Sequence, residues 1–374
     1  MTTLRAARLF DGEKFDEARD LVLVDGRIAA IRPAGTGPAV ELPEGALLVP
    51  GYVDLQVNGG GGVMLNDDPR PATLRRIAHA HARAGSTTIL PTLISGTRPL
   101  LAATLEAGRA ALADCVPGVA GLHLEGPFLA PTRRGVHPLA AMTLPTEADI
   151  DAMCAPFPGR LLVTLAPEMV TADAVERLVA AGVVVFAGHT DGTFEQMQAG
   201  LAAGITGFTH LYNAMSPLTV REPGAVGAAL DHPSARAGII ADRLHVHPAA
   251  IRVALRAMGP GRLFLVSDAM ATAASEVTEF ELYGQKITLR DGRLTNEAGT
   301  LAGAHLTMAE AVQIAVHDIG IALGDALRMA TLTPAEAMAM ADVGRIRRGA
   351  RADLVALDRD LRPVAVWQGG VRLV

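Results

Sequence analysis

From about residue 50 to about residue 345, apolar strand-like runs alternate with Ala-rich helical segments, as where residues 71–85 precede Thr87-Thr88-Ile89-Leu90 and residues 172–182 precede Val183. That alternation predicts a parallel sheet with helical crossovers of the usual hand. Ahead of it, Leu21-Val22-Leu23-Val24 and Arg27-Ile28-Ala29-Ala30-Ile31 flank Asp25-Gly26, a strong hairpin dipeptide. The last thirty residues repeat the idiom, with Ala352-Asp353-Leu354-Val355-Ala356-Leu357 and Val364-Ala365-Val366-Trp367 before Gly369-Gly370. Neither end holds enough strands to close a sheet alone, so both are expected to pair into one small β-module. A further hairpin-like insertion is expected around Tyr283-Gly284-Gln285 and Asp291-Gly292. The expected division is 1–50 and 344–374 for the two parts of a composite β-sandwich, with 51–343 as the catalytic unit between them.

Several of the apolar runs end in a side chain that demands a partner. Leu122-His123-Leu124 runs into Glu125 where Gly126-Pro127 turns the backbone. A charge left alone there is too costly, so the carboxylate needs a cation. Val183-Val184-Val185-Phe186-Ala187-Gly188 runs into His189, and Ile205-Thr206-Gly207-Phe208-Thr209 into His210. Three strands each delivering one metal-competent group at the C-terminal end is how a (β/α)8 barrel builds its active face. A Glu with two neutral imidazoles also leaves a position open for water. Arg262-Leu263-Phe264-Leu265-Val266-Ser267 delivers Asp268, a carboxylate placed to shuttle a proton in hydrolysis. Candidates at many separate strand ends, and no Gly-rich dinucleotide fingerprint after an early strand, favour the barrel over a doubly wound sheet.

Composition fits this reading. Half of the 374 residues are hydrophobic and 19% charged, enough for a large core, and with few aromatics that core must be filled by Ala, Leu and Val. A formal charge of −6 points away from nucleic acid. Cys115 and Cys154 are the only cysteines, so no disulfide framework is expected, and a reduced, cytoplasmic setting is the default. No signal-peptide pattern and no uninterrupted membrane-length apolar stretch is present, so a soluble, unprocessed chain with no membrane partner is expected.

With these residues laid out, the chain resembles the amidohydrolase superfamily, in the branch that deacetylates N-acetylated hexosamine 6-phosphates. The resemblance rests on Pro50-Gly51-Tyr52-Val53-Asp54-Leu55-Gln56-Val57-Asn58-Gly59-Gly60, His123-Leu124-Glu125-Gly126-Pro127-Phe128, Gly188-His189-Thr190, His210-Leu211-Tyr212-Asn213-Ala214-Met215-Ser216-Pro217, Arg221-Glu222-Pro223-Gly224 and Ser267-Asp268-Ala269. It implies an α/β fold, a (β/α)8 TIM-like barrel with a small β-sandwich formed by both termini. It further implies that Glu125, His189 and His210 bind one divalent metal ion per chain, Zn2+ first and Fe2+, Co2+ or Mn2+ as alternatives. Asp268 is then the general base and acid. The implied reaction is hydrolysis of the linear amide of N-acetylglucosamine 6-phosphate to glucosamine 6-phosphate and acetate, in amino-sugar catabolism. The rivals are deacetylation of the galactosamine epimer or of an N-acyl-D-amino acid, and a non-catalytic scaffold on the same fold. In the wider superfamily the first strand ends in His-x-His for a second metal; here Gln56 and Asn58 stand there. Neutral amides are poor ligands, so Gln56 is expected to make at most a weak second-metal contact.

The remaining candidates are weaker on sequence alone. His137, in the Gly/Pro-punctuated Arg134-Gly135-Val136-His137-Pro138, lies where barrel enzymes keep substrate contacts. The resemblance makes it a substrate ligand together with His245, Asn213, the backbone at Ala214, and Arg221, whose guanidinium matches a phosphate. The resemblance also implies a homodimer in which Arg221 reaches the neighbouring copy's site. His123 reads equally as a hydrogen-bonded core histidine or as a functional one. His79 and His81, two apart on a helix, are expected on the surface, and His247 is expected to be incidental.

Overall fold

The computed structural model describes all 374 residues. Eight parallel strands form the barrel: Tyr52–Val57, Ser86–Ile94, Gly121–Glu125, Arg160–Leu165, Val184–Ala187, Gly207–Phe208, Arg236–Ile240 and Leu263–Val266. Each pairs with the next in chain order. The ring closes where the backbone of the last strand's extension meets the first, Asp268 N–H donating to Gln56 O at 3.0 Å and Asn58 N–H to Ala269 O at 2.9 Å. Every residue of the first two strands is buried, polar Asp54, Gln56 and Thr92 included, as expected of a parallel sheet covered on both faces. The sixth strand needs Gly207. A Cβ there would lie 2.6 Å from the Phe186 ring and 2.7 Å from Arg236 O.

The helices between the strands are defined by ordinary signals. Pro71–Arg83 starts on a proline and buries Leu74, Ile77, Ala78, His81 and Ala82, one face at 3–4 residue spacing. Ala172–Ala180 starts at Thr171, whose side chain accepts from Ala174 N–H. His247 stays out of the mouth of the barrel and has a local role instead. It caps Pro248–Met258, its side chain accepting from Ala249 N–H. His81 is a correction: it is buried, with Nε2 2.9 Å from Gly59 O, while His79 is exposed. The spacing rightly sends the pair to different faces, but it does not say that either face meets water.

Both termini contribute to one sheet, in the order Val371–Arg372, Pro363–Gln368, Leu354–Leu357, Leu47–Pro50, Thr2–Phe10, Phe15–Val24, Arg27–Pro33, with Val40–Glu41 also beside Thr2–Phe10. Period-two alternation assigns its faces. Leu48, Leu354, Ala356 and Trp367 join Leu4, Leu21 and Ile28 in a separate fifteen-residue apolar cluster. Their neighbours Leu47, Val49, Val355, Leu357 and Val366 point the other way, into the barrel's main core.

The insertion is a three-stranded antiparallel sheet, Glu279–Leu282, Gln285–Arg290 and Arg293–Thr295. Its Leu282, Ile287 and Leu294 pack with Met64, Ile94, Met270 and Ala302. No helix is long and apolar enough to cross a membrane.

Candidate active site

Glu125, His189, His210 and Asp268 meet at the C-terminal mouth of the barrel, from the third, fifth, sixth and eighth strands. His189, His210 and Asp268 each lie two residues beyond a strand end, at φ of 48°, 31° and 52°. Left-handed backbone at non-glycine residues is uncommon and costs about 1–3 kcal/mol each, strain that collects at functional sites. The turn throws each side chain across the mouth instead of along the strand. His210 Nε2 lies 2.9 Å from Glu125 Oε1 and 3.0 Å from His189 Nε2, and His189 Nε2 lies 3.3 Å from the same carboxylate oxygen.

One carboxylate oxygen and two imidazole nitrogens on a triangle of these edges could hold a metal ion. Ligands at about 2.0–2.1 Å in a tetrahedron stand about 3.3 Å apart, so the three fit a small divalent cation after little adjustment. The tautomer fits too: His189 Nδ1–H donates to Arg133 O at 2.7 Å, leaving Nε2 as a lone pair facing the triangle. Burial alone would raise the Glu125 pKa, but the two imidazoles hold it well below the carboxylate range. Burial alone would lower His210, and the Glu125 carboxylate holds it above the usual value instead.

Asp268 is buried beside this triangle. Burial and the Glu125 charge push it up to about 6. Its Oδ1 accepts from Asn58 Nδ2 at 2.7 Å and from Gln56 Nε2 at 3.1 Å, and Gln56 Nε2 also reaches Glu125 Oε1 at 2.9 Å. On sequence, Gln56 and Asn58 stand where ligands are missing, with Gln56 at most a weak second-metal contact. In the fold, each turns a donor nitrogen toward a carboxylate.

The cavity over these groups, about 160 Å³, is also lined by Asn58, His137, Asn213, Ala214 and His245. His137 is buried, and burial, followed by the charge of His189, holds its pKa well below the usual value. Ser95 N–H donates to its Nδ1 at 3.3 Å, so the ring proton sits on Nε2, 3.9 Å from Glu125 Oε2. His245 Nδ1 lies 2.6 Å from Asp242 Oδ2, while Asp242 Oδ1 accepts from the Leu244 and His245 N–H groups, which fixes the ring with Nε2 outward. Asn213 is half-buried, its Nδ2 donating to His210 O at 3.3 Å, and Ala214 sits at φ 48°. Arg221 does not join the cavity of its own chain: it is exposed, with no side-chain hydrogen bond or ion pair.

The structure decides His123. It lies inside the barrel between Thr92 and Thr164, with Nε2 2.7 Å from Thr164 Oγ1, and burial pushes its pKa down to about 4: a neutral core histidine. Among the partners missed from sequence, Asp242 was legible as a third carboxylate just past a strand. Ser95 and the Arg133 carbonyl gave no signal. A larger groove of about 680 Å³ opens at the N-terminal ends of the strands, past Cys115 and Arg160, but brings no ligating cluster together.

Comparison with known proteins agrees with this geometry. Residues 47–372 match the model of the amidohydrolase family. The chain is 43% identical over 334 residues to an N-acetylgalactosamine-6-phosphate deacetylase of Shewanella sp. (strain ANA-3), covering 89% of this chain and 84% of that one. It is 34% identical over 366 residues to an N-acetylglucosamine-6-phosphate deacetylase of Haemophilus influenzae, covering 96% of each. The structure of the N-acetylglucosamine-6-phosphate deacetylase from Pasteurella multocida superposes with a TM-score of 0.96 at 32% identity, over 100% of this chain and 99% of that one. A barrel whose strand ends converge on two imidazoles and two carboxylates, matched by sequence over most of its length, thus makes the chain a member of the amidohydrolase family.

Proposed function

We propose that the chain hydrolyses the acetamide of N-acetylglucosamine 6-phosphate to glucosamine 6-phosphate and acetate, with Glu125, His189 and His210 holding one divalent metal ion. The observation that carries this reading is the convergence of that triad and Asp268 in one cavity with two fixed imidazoles. Zn2+ suits the compact three-ligand set, and Fe2+, Co2+ or Mn2+ can occupy the same donors. A cation held there would acidify a water and polarise the amide carbonyl.

Asp268 takes the proton of the attacking water. Its Oδ1 is tied to two amides, so Oδ2 handles the proton. An amine is a poor leaving group, and the protonated Asp268 then delivers that proton to the sugar nitrogen before the C–N bond breaks. His137, with its proton on Nε2, donates to the acetyl oxygen, where charge builds as the tetrahedral intermediate forms. His245, Asn213 and the Ala214 backbone hold the sugar.

The 6-phosphate raises a separate requirement. No lysine or arginine lines the cavity, although a phosphate calls for charge-assisted donors. Arg221 is exposed and unpaired in the 218–224 loop, which supports a homodimer in which this guanidinium serves the neighbouring copy. Residues 1–50 with 344–374, and 51–343, are read as the β-module and the catalytic unit of an enzyme working in the cytoplasm.

The galactosamine epimer is a second reading, favoured by the 43% identity to the Shewanella deacetylase. Acetate release from N-acetylglucosamine and N-acetylgalactosamine, each with and without the 6-phosphate, tests both readings. Preference for phosphorylated glucosamine supports the first, and preference for phosphorylated galactosamine supports the second. No preference for phosphate would sink both.

A further inference from the structure

We propose that Tyr283, brought in by the inserted sheet, is a positioning residue that sets the orientation and tautomer of His137 through the peptides on either side of Ser95. The proposal rests on the reading of His137 as a substrate contact.

Tyr283 sits at the turn between Glu279–Leu282 and Gln285–Arg290, at φ 53°. Its hydroxyl reaches back to the end of the second barrel strand, 2.5 Å from Ser95 O and 3.1 Å from Ile94 O. With a single proton it donates to one of these at a time, and the shorter contact is with Ser95. The hydroxyl oxygen accepts from Asn66 Nδ2 at 2.6 Å, and the same Nδ2 lies 2.7 Å from Ile94 O. Asn66 Oδ1 accepts in turn from Ile94 N–H at 3.1 Å.

The carbonyl of Ile94 and the N–H of Ser95 are opposite ends of one planar peptide. Asn66 Nδ2, braced by the Tyr283 hydroxyl, anchors the carbonyl end, the Tyr283 proton holds Ser95 O in the next peptide, and the Ser95 N–H between them points at His137 Nδ1, 3.3 Å away. Ser95 Oγ lies 2.8 Å from the same nitrogen and 3.2 Å from the Glu125 carbonyl oxygen. The Ser95 hydroxyl can serve either ring tautomer, but the N–H cannot reverse its polarity, so it favours Nδ1 as acceptor with the ring proton on Nε2, facing the cavity.

Packing supports the same path. Ile94 and Met270 touch the cavity on one side and the insertion's Leu282 and Ile287 on the other, and Val136, beside His137, rests on this cluster. Removing the hydroxyl alone leaves that packing in place, releases Ser95 O and takes away the brace on the Asn66 amide. Burial keeps the phenol protonated, as its donor role requires.

The test uses the metal-loaded enzyme, with Tyr283→Phe, His137→Asn and the double variant assayed on the phosphorylated N-acetyl sugar. Tyr283→Phe is expected to lower kcat/KM by about three- to tenfold, as loss of one hydrogen bond allows. In the His137→Asn background the same change should have no further effect, because the imidazole it acts through is gone. Nitrogen-15 NMR of the His137 ring should show the Nε2–H tautomer in the parent and a mixture in Tyr283→Phe. Equal losses in both backgrounds, or an unchanged tautomer, would overturn the positioning role. Full activity of His137→Asn alone would instead remove His137 from substrate contact, and the proposal with it.

Discussion

Carboxylates are buried both in the terminal sheet and at the barrel mouth, but they keep different company. Asp20, nearly covered, accepts from Arg5 Nε at 2.8 Å and Nη2 at 2.9 Å and from Gly35 N–H at 3.0 Å, and the guanidinium holds it below the ordinary carboxylate value. Asp268 has only neutral amide donors and lies near Glu125, and it is pushed up to about 6. Asp20 has its charge neutralised by a partner of opposite sign. The mouth gathers two carboxylates and strained backbone turns around a position that a cation would neutralise. The ion pair at Asp20 serves stability, whereas the mouth keeps a buried carboxyl pushed toward neutral pH, as the proposed proton transfer requires.

The sharpest way to break this contrast is Asp268→Asn. Turnover should fall by about 10²–10⁴-fold or more, since one group makes both proton transfers. Its thermal midpoint should hold or rise, because a buried like charge is removed. A variant with near-normal kcat would remove Asp268 from the mechanism, and elemental analysis should still find one metal ion per chain.

The mirror experiment is Trp367→Ala in the terminal cluster. Emptying a buried Trp site should cost about 3–5 kcal/mol of stability, read by denaturant melts, while kcat per folded molecule stays unchanged. A fall in kcat would mean that the two regions are not separable.

Arg221→Ala probes a charge that belongs to neither region of its own chain. KM for the phosphorylated sugar should rise tenfold or more, given that hydrogen bonds to charged groups contribute about 1.5–3 kcal/mol, and the unphosphorylated analogue should be unaffected. Equal effects on both would make the residue structural. Sedimentation of the parent checks the dimer.

The smallest effect is a pH limb. Asp268 acts as a base only when ionised, so kcat/KM should be flat above its pKa and fall tenfold per unit as pH drops through it. A cation on Glu125 opposes the charge that raises Asp268, so the limb should lie at or below about pH 6. For stability the sign is opposite. A carboxyl raised in the folded state favours the fold most at low pH, and this contribution is lost as pH rises from the unfolded value, about 4, to about 6. An activity limb above pH 7 would assign the base to another group.

Much of this site was legible because a parallel strand buried on both faces has no cheap place for a polar side chain except its end. Glu125, His189, His210 and Asp268 each stood out there, as did the barrel they imply. Residues whose meaning lies in what they face were harder to read. Gln56 and Asn58 look like missing ligands until folding aims their nitrogens at two carboxylates, and His81 looks exposed until Gly59 and Gly60 close over it. The insertion was foreseen from Tyr283-Gly284 and Asp291-Gly292, yet no local pattern says that the tip of its first turn touches Ser95, 188 residues earlier.

The order of strands in the terminal sheet also sets a timetable for synthesis. Leu47–Pro50 leaves the ribosome long before its neighbour Leu354–Leu357. At roughly 5–20 residues per second, that backbone edge waits about 15–60 s for its partner. Through that interval Leu47 and Val49, which belong to the barrel's core, stand at an open strand edge, the kind that templates pairing with other chains. A circular permutant that joins residue 374 to residue 1 and opens in an exposed loop would deliver the two strands close together in time. Its yield of soluble protein, compared with that of the parent at equal stability, measures what the native order costs the cell.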